Sequence, residues 1–172
     1  MTDDQRPIPA SLQEFADGDE SDLIVVAPWT GPAVDPETGM LREPIRGRHL
    51  VATSVGWPKP GHEPAAIQLN EAILKELYVR PGLLAVCLAI SENNFNSTRS
   101  LSIWEDQAAL RGFMKSKPHL AAARRVKELM FDWEGTHWDC EETTELPTFE
   151  ESRHRLAAVR DPGPSEFASP GS

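Results

Sequence analysis

Cysteine, tyrosine and positive charge are all scarce in this chain of 172 residues. It has two Cys, one Tyr, and 17 Lys and Arg against 27 Asp and Glu, for a formal net charge of -10. Two cysteines, Cys87 and Cys140, with no secretory leader before them do not make a disulfide framework. Residues 1–20 are acidic and lack the apolar core of a leader, so the cytoplasm is the expected compartment. The longest apolar run, residues 83–90, has the length of a strand and not of a membrane span. The charge balance argues against nucleic acid and anionic membrane as partners, since both need basic patches. There is no Gly-rich phosphate loop, nucleophile elbow or paired-Cys motif, which sets aside nucleotide hydrolysis, serine-type acyl transfer and zinc-ribbon roles.

What is present is enough apolar content, 40%, for one packed domain, expected over residues 22–160. Residues 1–21 read as a disordered acidic arm in which residues 12–15 can form one docking turn, and residues 161–172 as a flexible tail. Residues 23–27 predict a short buried strand stopped by Pro28. Residues 29–47 carry three Pro and three Gly and read as a long loop insertion, with Asp35-Pro-Glu-Thr-Gly39 as a turn. Residues 49–57 predict a strand and residues 65–79 a helix opened by Pro64, its apolar face interrupted by Asn70. Strands at 83–90 and 99–104 flank a turn rich in Asn, containing Asn93, Asn94 and Asn96. A helix starts at Glu105-Asp106, breaks, and restarts where Ser116 caps and Pro118 is tolerated. A last strand follows within 131–140, then a helix over 149–159 capped by Thr148.

Strand, helix, strand, strand, helix, strand predicts a ferredoxin-like βαββαβ antiparallel sheet with its helices on one face, plus an extra C-terminal helix. Such a sheet leaves its second face bare. Soluble chains avoid that exposure, so a homodimer is expected, two bare faces closing into a dimeric α+β barrel.

Ile103-Trp-Glu-Asp-Gln-Ala-Ala-Leu-Arg-Gly-Phe-Met-Lys-Ser-Lys-Pro-His119 resembles the Trp-Glu-Ser-x-Glu-Ala-Leu-x-x-Phe-x-x-Ser-x-x-His signature of the dimeric α+β barrel superfamily. That superfamily contains the antibiotic-biosynthesis monooxygenases. Leu146-Pro-Thr-Phe-Glu-Glu-Ser-Arg-His-Arg-Leu156, with Gly163-Pro-Ser-Glu-Phe167, is similar to an uncharacterised branch of it. The resemblance covers residues 99–167. It implies a small-molecule pocket, with His119 in the place of the family's helix His.

His119 is the first catalytic candidate, because imidazole exchanges protons near neutrality. Arg99 is the second, as a cation to steady a developing oxyanion. Trp104 and Phe113 are candidates for an aromatic pocket wall, and Trp57, Asn94 and Asn96 for further substrate contacts. Each also has a plain structural role open to it: helix cap, core residue or polar turn. His137 and Asp139 would share one strand face, two ligands where a metal site needs three or four, so no metal is expected. Heme is an alternative, because some barrel relatives hold it through a helix His. Those relatives carry Trp where this chain has Phe113 and the ligand His where it has Ala123.

The expected function is tailoring of an organic metabolite in natural-product biosynthesis, by monooxygenase-like oxygenation without a cofactor. The rivals are a non-redox cyclase, isomerase or decarboxylase, and a ligand- or heme-binding protein without turnover.

Overall fold

The computed structural model describes residues 6–158. The tail expected at 161–172, and the Gly163 to Phe167 motif, lie outside the described residues. In chain order the elements are α1 (Leu12–Ala16), β1 (Ile24–Thr30), β2 (Ile45–Pro58), α2 (Glu63–Tyr78), β3 (Leu83–Ser91), β4 (Ser97–Trp104), α3 (Gln107–Met114), α4 (Lys117–Leu129), β5 (Met130–Thr143) and α5 (Phe149–Ala157). The sheet is antiparallel throughout, in the order β1-β3-β4-β2-β5. The run from β2 to β5 is the expected βαββαβ unit, and β1 adds a fifth strand at the β3 edge.

Period-two alternation divides the sheet residues between two faces. Leu50, Ala52, Val86 and Trp104 point to α2 and α3, where they pack with Leu77, Leu110 and Phe113. The helices on this face follow from local signals. Ser116 Oγ accepts from the His119 amide and opens α4, while Asp106 Oδ1 accepts from the Ala109 amide and opens α3.

The second face is not bare, and here the expectation is corrected. Val51, Ala85, Leu101 and Ile103 are covered by Val34 from the 31–44 loop and by Leu146 and Phe149. Val55 and Trp57 are covered by Phe15 of α1 and Leu156 of α5. The segment expected as a disordered arm is thus docked over residues 6–21, with Phe15 fully buried. The anchor is Glu20, buried between two arginines. It pairs with Arg99 Nη1 and, at 3.1 Å, with Arg153 Nε. Arg153 also donates to the carbonyls of Ala16 and Gly18. One acidic residue of the arm, Glu20, is thus what ties it to the sheet and to α5.

The loop at 31–44 is held as closely. Gly31 lies at φ +146, where any Cβ would sit 2.4 Å from the Leu84 carbonyl oxygen, so the chain can pass over β3 only as glycine. The Asp35 to Gly39 turn forms as expected, closed by the Gly39 amide on the Asp35 carbonyl at 2.8 Å. The first strand differs from expectation in extent and in burial. Strand β1 runs through Pro28 to Thr30, because an edge strand with register shifts needs no amide there. It is also not buried: Ile24, Val25 and Val26 are about half exposed.

Candidate functional site

Between the sheet and helices α2 and α4 lies a cavity of about 100 Å³. That is below the ~300–1,000 Å³ typical of clefts for drug-sized ligands, and of the order that takes a single ring. Its walls are Leu69, Ile73 and Leu74 from α2, Val126 from α4, Phe113 and Trp104. Its floor is a row of hydroxyls on the two central strands: Ser54, Thr98, Ser100 and Ser102. Ser54 is the register partner of Ser100, and their oxygens lie 2.5 Å apart.

Three of the candidate residues meet here. Trp104 stacks on Phe113 with ring centres 5.6 Å apart, and Phe113 meets His119 edge-on at 4.9 Å. The Trp104 indole donates to Ser102 Oγ at 2.9 Å, which fixes the ring against the floor. His119 is buried, and its Nδ1 lies 3.0 Å from the Met114 carbonyl oxygen. A carbonyl only accepts, so Nδ1 carries the proton, and the neutral ring keeps its lone pair on Nε2. Burial lowers the His119 pKa from its ordinary value, with the Met114 bond opposing in part. The ring is therefore neutral at pH 7, and His119 lines an uncharged, mostly apolar cavity.

The other four candidates lie elsewhere. Arg99 alternates away from Ser100, so its guanidinium stands on the far face, under α5. There it donates to Ser152 Oγ at 2.6 Å and to the Phe149 carbonyl at 3.2 Å, with Phe15 and Phe149 rings beside it. Only the backbone side of this residue borders the cavity, so Arg99 is corrected from oxyanion donor to structural tie. Trp57 packs edge-on against Phe15 on that same face. Asn94 Nδ2 donates to the Phe15 carbonyl at 3.0 Å, and so docks α1. Asn96 is exposed in the hairpin turn at φ +50, a backbone region that Asn tolerates. The cavity's polar groups are instead Asn70 of α2 and the strand hydroxyls of Ser54, Thr98, Ser100 and Ser102, which carry no charge to draw attention.

Among the described residues no group of three or more His, Cys, Asp or Glu is arranged to hold a metal. No helix is long and apolar enough to cross a membrane. Burial pushes the Cys87 thiol up to about 11, which leaves it an inert core residue.

Glu134 titrates outside the cavity. It pairs in register with Val55, and burial, then the Asp132 charge, push its pKa up to about 7. Its folded pKa lies above its unfolded one, so its contribution to stability is full below about 4.5 and is lost as pH rises through about 7. Melting curves from pH 5 to 8 are expected to fall less steeply for Glu134→Gln than for the parent. Parallel curves would show that Glu134 titrates as an ordinary surface carboxylate.

The ferredoxin-like fold recurs in solved structures. A candidate monooxygenase of Fusobacterium nucleatum superposes with TM-score 0.51 at 14% identity, over 73% of this chain and 50% of that one, so this chain spans only half of that protein. A protein of unknown function from Nitrosomonas europaea gives TM-score 0.51 at 14% identity, over 60% and 99%. The cofactor-independent oxygenase SnoaB of Streptomyces nogalater, in a mutant form, gives 0.47 at 16% identity, over 59% and 98%. No curated protein matches the chain in sequence. The sequence profile described as "Domain of unknown function (DUF3291)" matches residues 83–169, just over half of the chain, and the chain belongs to that family.

Proposed function

We propose that this chain is an enzyme of small-molecule tailoring in which His119 takes a proton from an uncharged organic substrate held in the cavity. The observation that carries this reading is the state of His119: a tautomer fixed by the Met114 carbonyl, a lowered pKa, and a place among Trp104, Phe113 and Trp133 on the cavity wall. A base with no counter-charge nearby suits a substrate that arrives neutral and becomes an anion only on reaction.

The reaction this supports best is oxygenation without a cofactor. A methylene made acidic by an adjacent carbonyl gives a proton to Nε2. The electron pair of the resulting carbanion adds to dioxygen. The peroxide then loses water as the second methylene hydrogen leaves, which produces a ketone. One oxygen atom ends in the product and the other in water, and the substrate supplies every electron. A cavity of about 100 Å³ does not take a porphyrin, so no step runs through heme. The test is dioxygen uptake over a panel of uncharged 1,3-dicarbonyl and hydroxyarene compounds. Uptake with matching ketone formation is the expected result. Turnover that persists without oxygen would replace the oxygenase by a cyclase, isomerase or decarboxylase using the same base.

A homodimer belongs to this reading on new ground. The far face of the sheet is filled, while Ile24, Val25 and Val26 are each about half exposed on the edge strand β1, the kind of edge that pairs with another copy. Sedimentation equilibrium at micromolar concentration is expected to give twice 19.1 kDa, and Val25→Glu to return it to one copy. A single-copy mass for the parent would remove the dimer. The cavity groups named here all come from one chain.

A further inference from the structure

The cavity holds polar groups that the packing leaves without partners. Ser102 Oγ accepts from the Trp104 indole, and its own hydroxyl hydrogen has no acceptor among the described residues. Ser54 and Ser100 share one hydrogen bond, so the pair keeps one hydrogen with no acceptor. Asn70 reaches the cavity from α2, and its side-chain amide has no hydrogen-bond partner among the described residues. This is the polar exception on an otherwise apolar helix face. All four side chains are half-buried and line the cavity, so their unspent hydrogens are placed to meet a ligand there.

Their chemistry is specific. When Ser54 donates to Ser100, the free donors are the hydroxyls of Ser100 and Ser102, two residues apart on β4, about 6.5 Å along the strand. The wall opposite is apolar, and no charged side chain enters, because Arg99 points to the far face. Two neutral donors at that spacing fit acceptors at opposite ends of one ring. They exclude a carboxylate or phosphate, which would find no cation.

We infer that Ser102, the Ser54–Ser100 pair and Asn70 form the recognition edge of this cavity, which selects an uncharged ring compound with two carbonyl-type oxygens on opposite sides. This rests on the reading of the cavity as a small-molecule site and adds the substrate class. One serine hydrogen bond holds each oxygen, and the amide of Asn70 closes over the ring from α2. A proton beside either carbonyl is then offered to His119.

The experiment titrates the full chain with cyclohexane-1,4-dione, cyclohexanone and cyclohexane, followed by NMR, and measures deuterium exchange at the dione's ring methylenes. The dione is expected to bind about tenfold tighter than cyclohexanone, and cyclohexanone tighter than cyclohexane, each oxygen adding one hydrogen bond. Ser102→Ala, Asn70→Ala and the double variant Ser54→Ala with Ser100→Ala are each expected to erase much of the dione's advantage while cyclohexane binding stays unchanged. Ser102 also serves Trp104, so the Asn70 and double serine variants carry the test if Ser102→Ala fails to fold. Equal binding of the three probes, or variants that keep the dione's advantage, would overturn the recognition edge and leave the cavity as a plain apolar site. Absence of binding by all three would overturn both readings. Binding in the expected order without His119-dependent exchange would keep the edge and remove the base.

Discussion

Glu20→Ala is expected to destabilise the fold by about 3–5 kcal/mol, the usual result of stripping one partner from a buried ion pair. Among described residues Glu20 is the only carboxylate paired with Arg99, whose side chain is 0% exposed, and Glu20 itself is 6% exposed. Without it two guanidinium groups, those of Arg99 and Arg153, face each other beneath α1 and α5 with only carbonyls and Ser152 to receive them. A loss of that size is a large share of the ~5–15 kcal/mol that holds a domain together. Urea unfolding is the measurement. A shift under about 1 kcal/mol would mean that the pair behaves as an exposed one. The double change Glu20→Met with Arg99→Met is expected to recover part of the loss, because it removes the unpaired charge instead of creating one.

His119→Gln is expected to lower kcat for dioxygen uptake by about 10²–10⁴, the range that a positioned general base supplies. Glutamine keeps polarity and approximate size but cannot hold a proton. Its effect should therefore fall on kcat more than on KM, since the ring contributes one wall contact among many. The parent's pH profile follows from the sign of the pKa shift. Burial depresses the His119 pKa, so activity should rise with pH through a value below the ordinary 6.5 and stay level above it. A KM effect alone, or a profile that falls as pH rises from 6 to 8, would remove His119 as the base.

The two variants separate the two faces of one strand. Residues 99 and 100 are neighbours in sequence and lie on opposite sides of the sheet. One is fastened in the ion cluster and the other lines the cavity floor. Sequence reading placed Arg99 in the site because a cation suits an oxyanion. The alternation of β4 already argued otherwise, since Arg99 shares its parity with Leu101 and Ile103 and not with Trp104. The element order of the central unit was legible because most of its strands and helices are bounded by Gly, Pro, Asn or a capping residue, although α4 runs straight into β5. The cover on the second face was not. It is assembled from segments 79 residues apart in sequence, Glu20 and Arg99, and from a short helix whose apolar content is little more than Leu12 and Phe15. No local pattern announces such a contact. The serines of the floor were equally quiet: an uncharged hydroxyl on an alternating strand looks like any solvent-facing position until the helices close over it.

The central claim is that His119 stands in the cavity as a neutral base with its free nitrogen at Nε2. The direct measurement is a nitrogen-15 NMR titration of the imidazole in the full chain, with and without a ring ligand. The account predicts a proton on Nδ1, a pKa below 6.5, and an Nε2 signal that shifts when the ring enters. A proton on Nε2, or a pKa at or above 6.5, would contradict it.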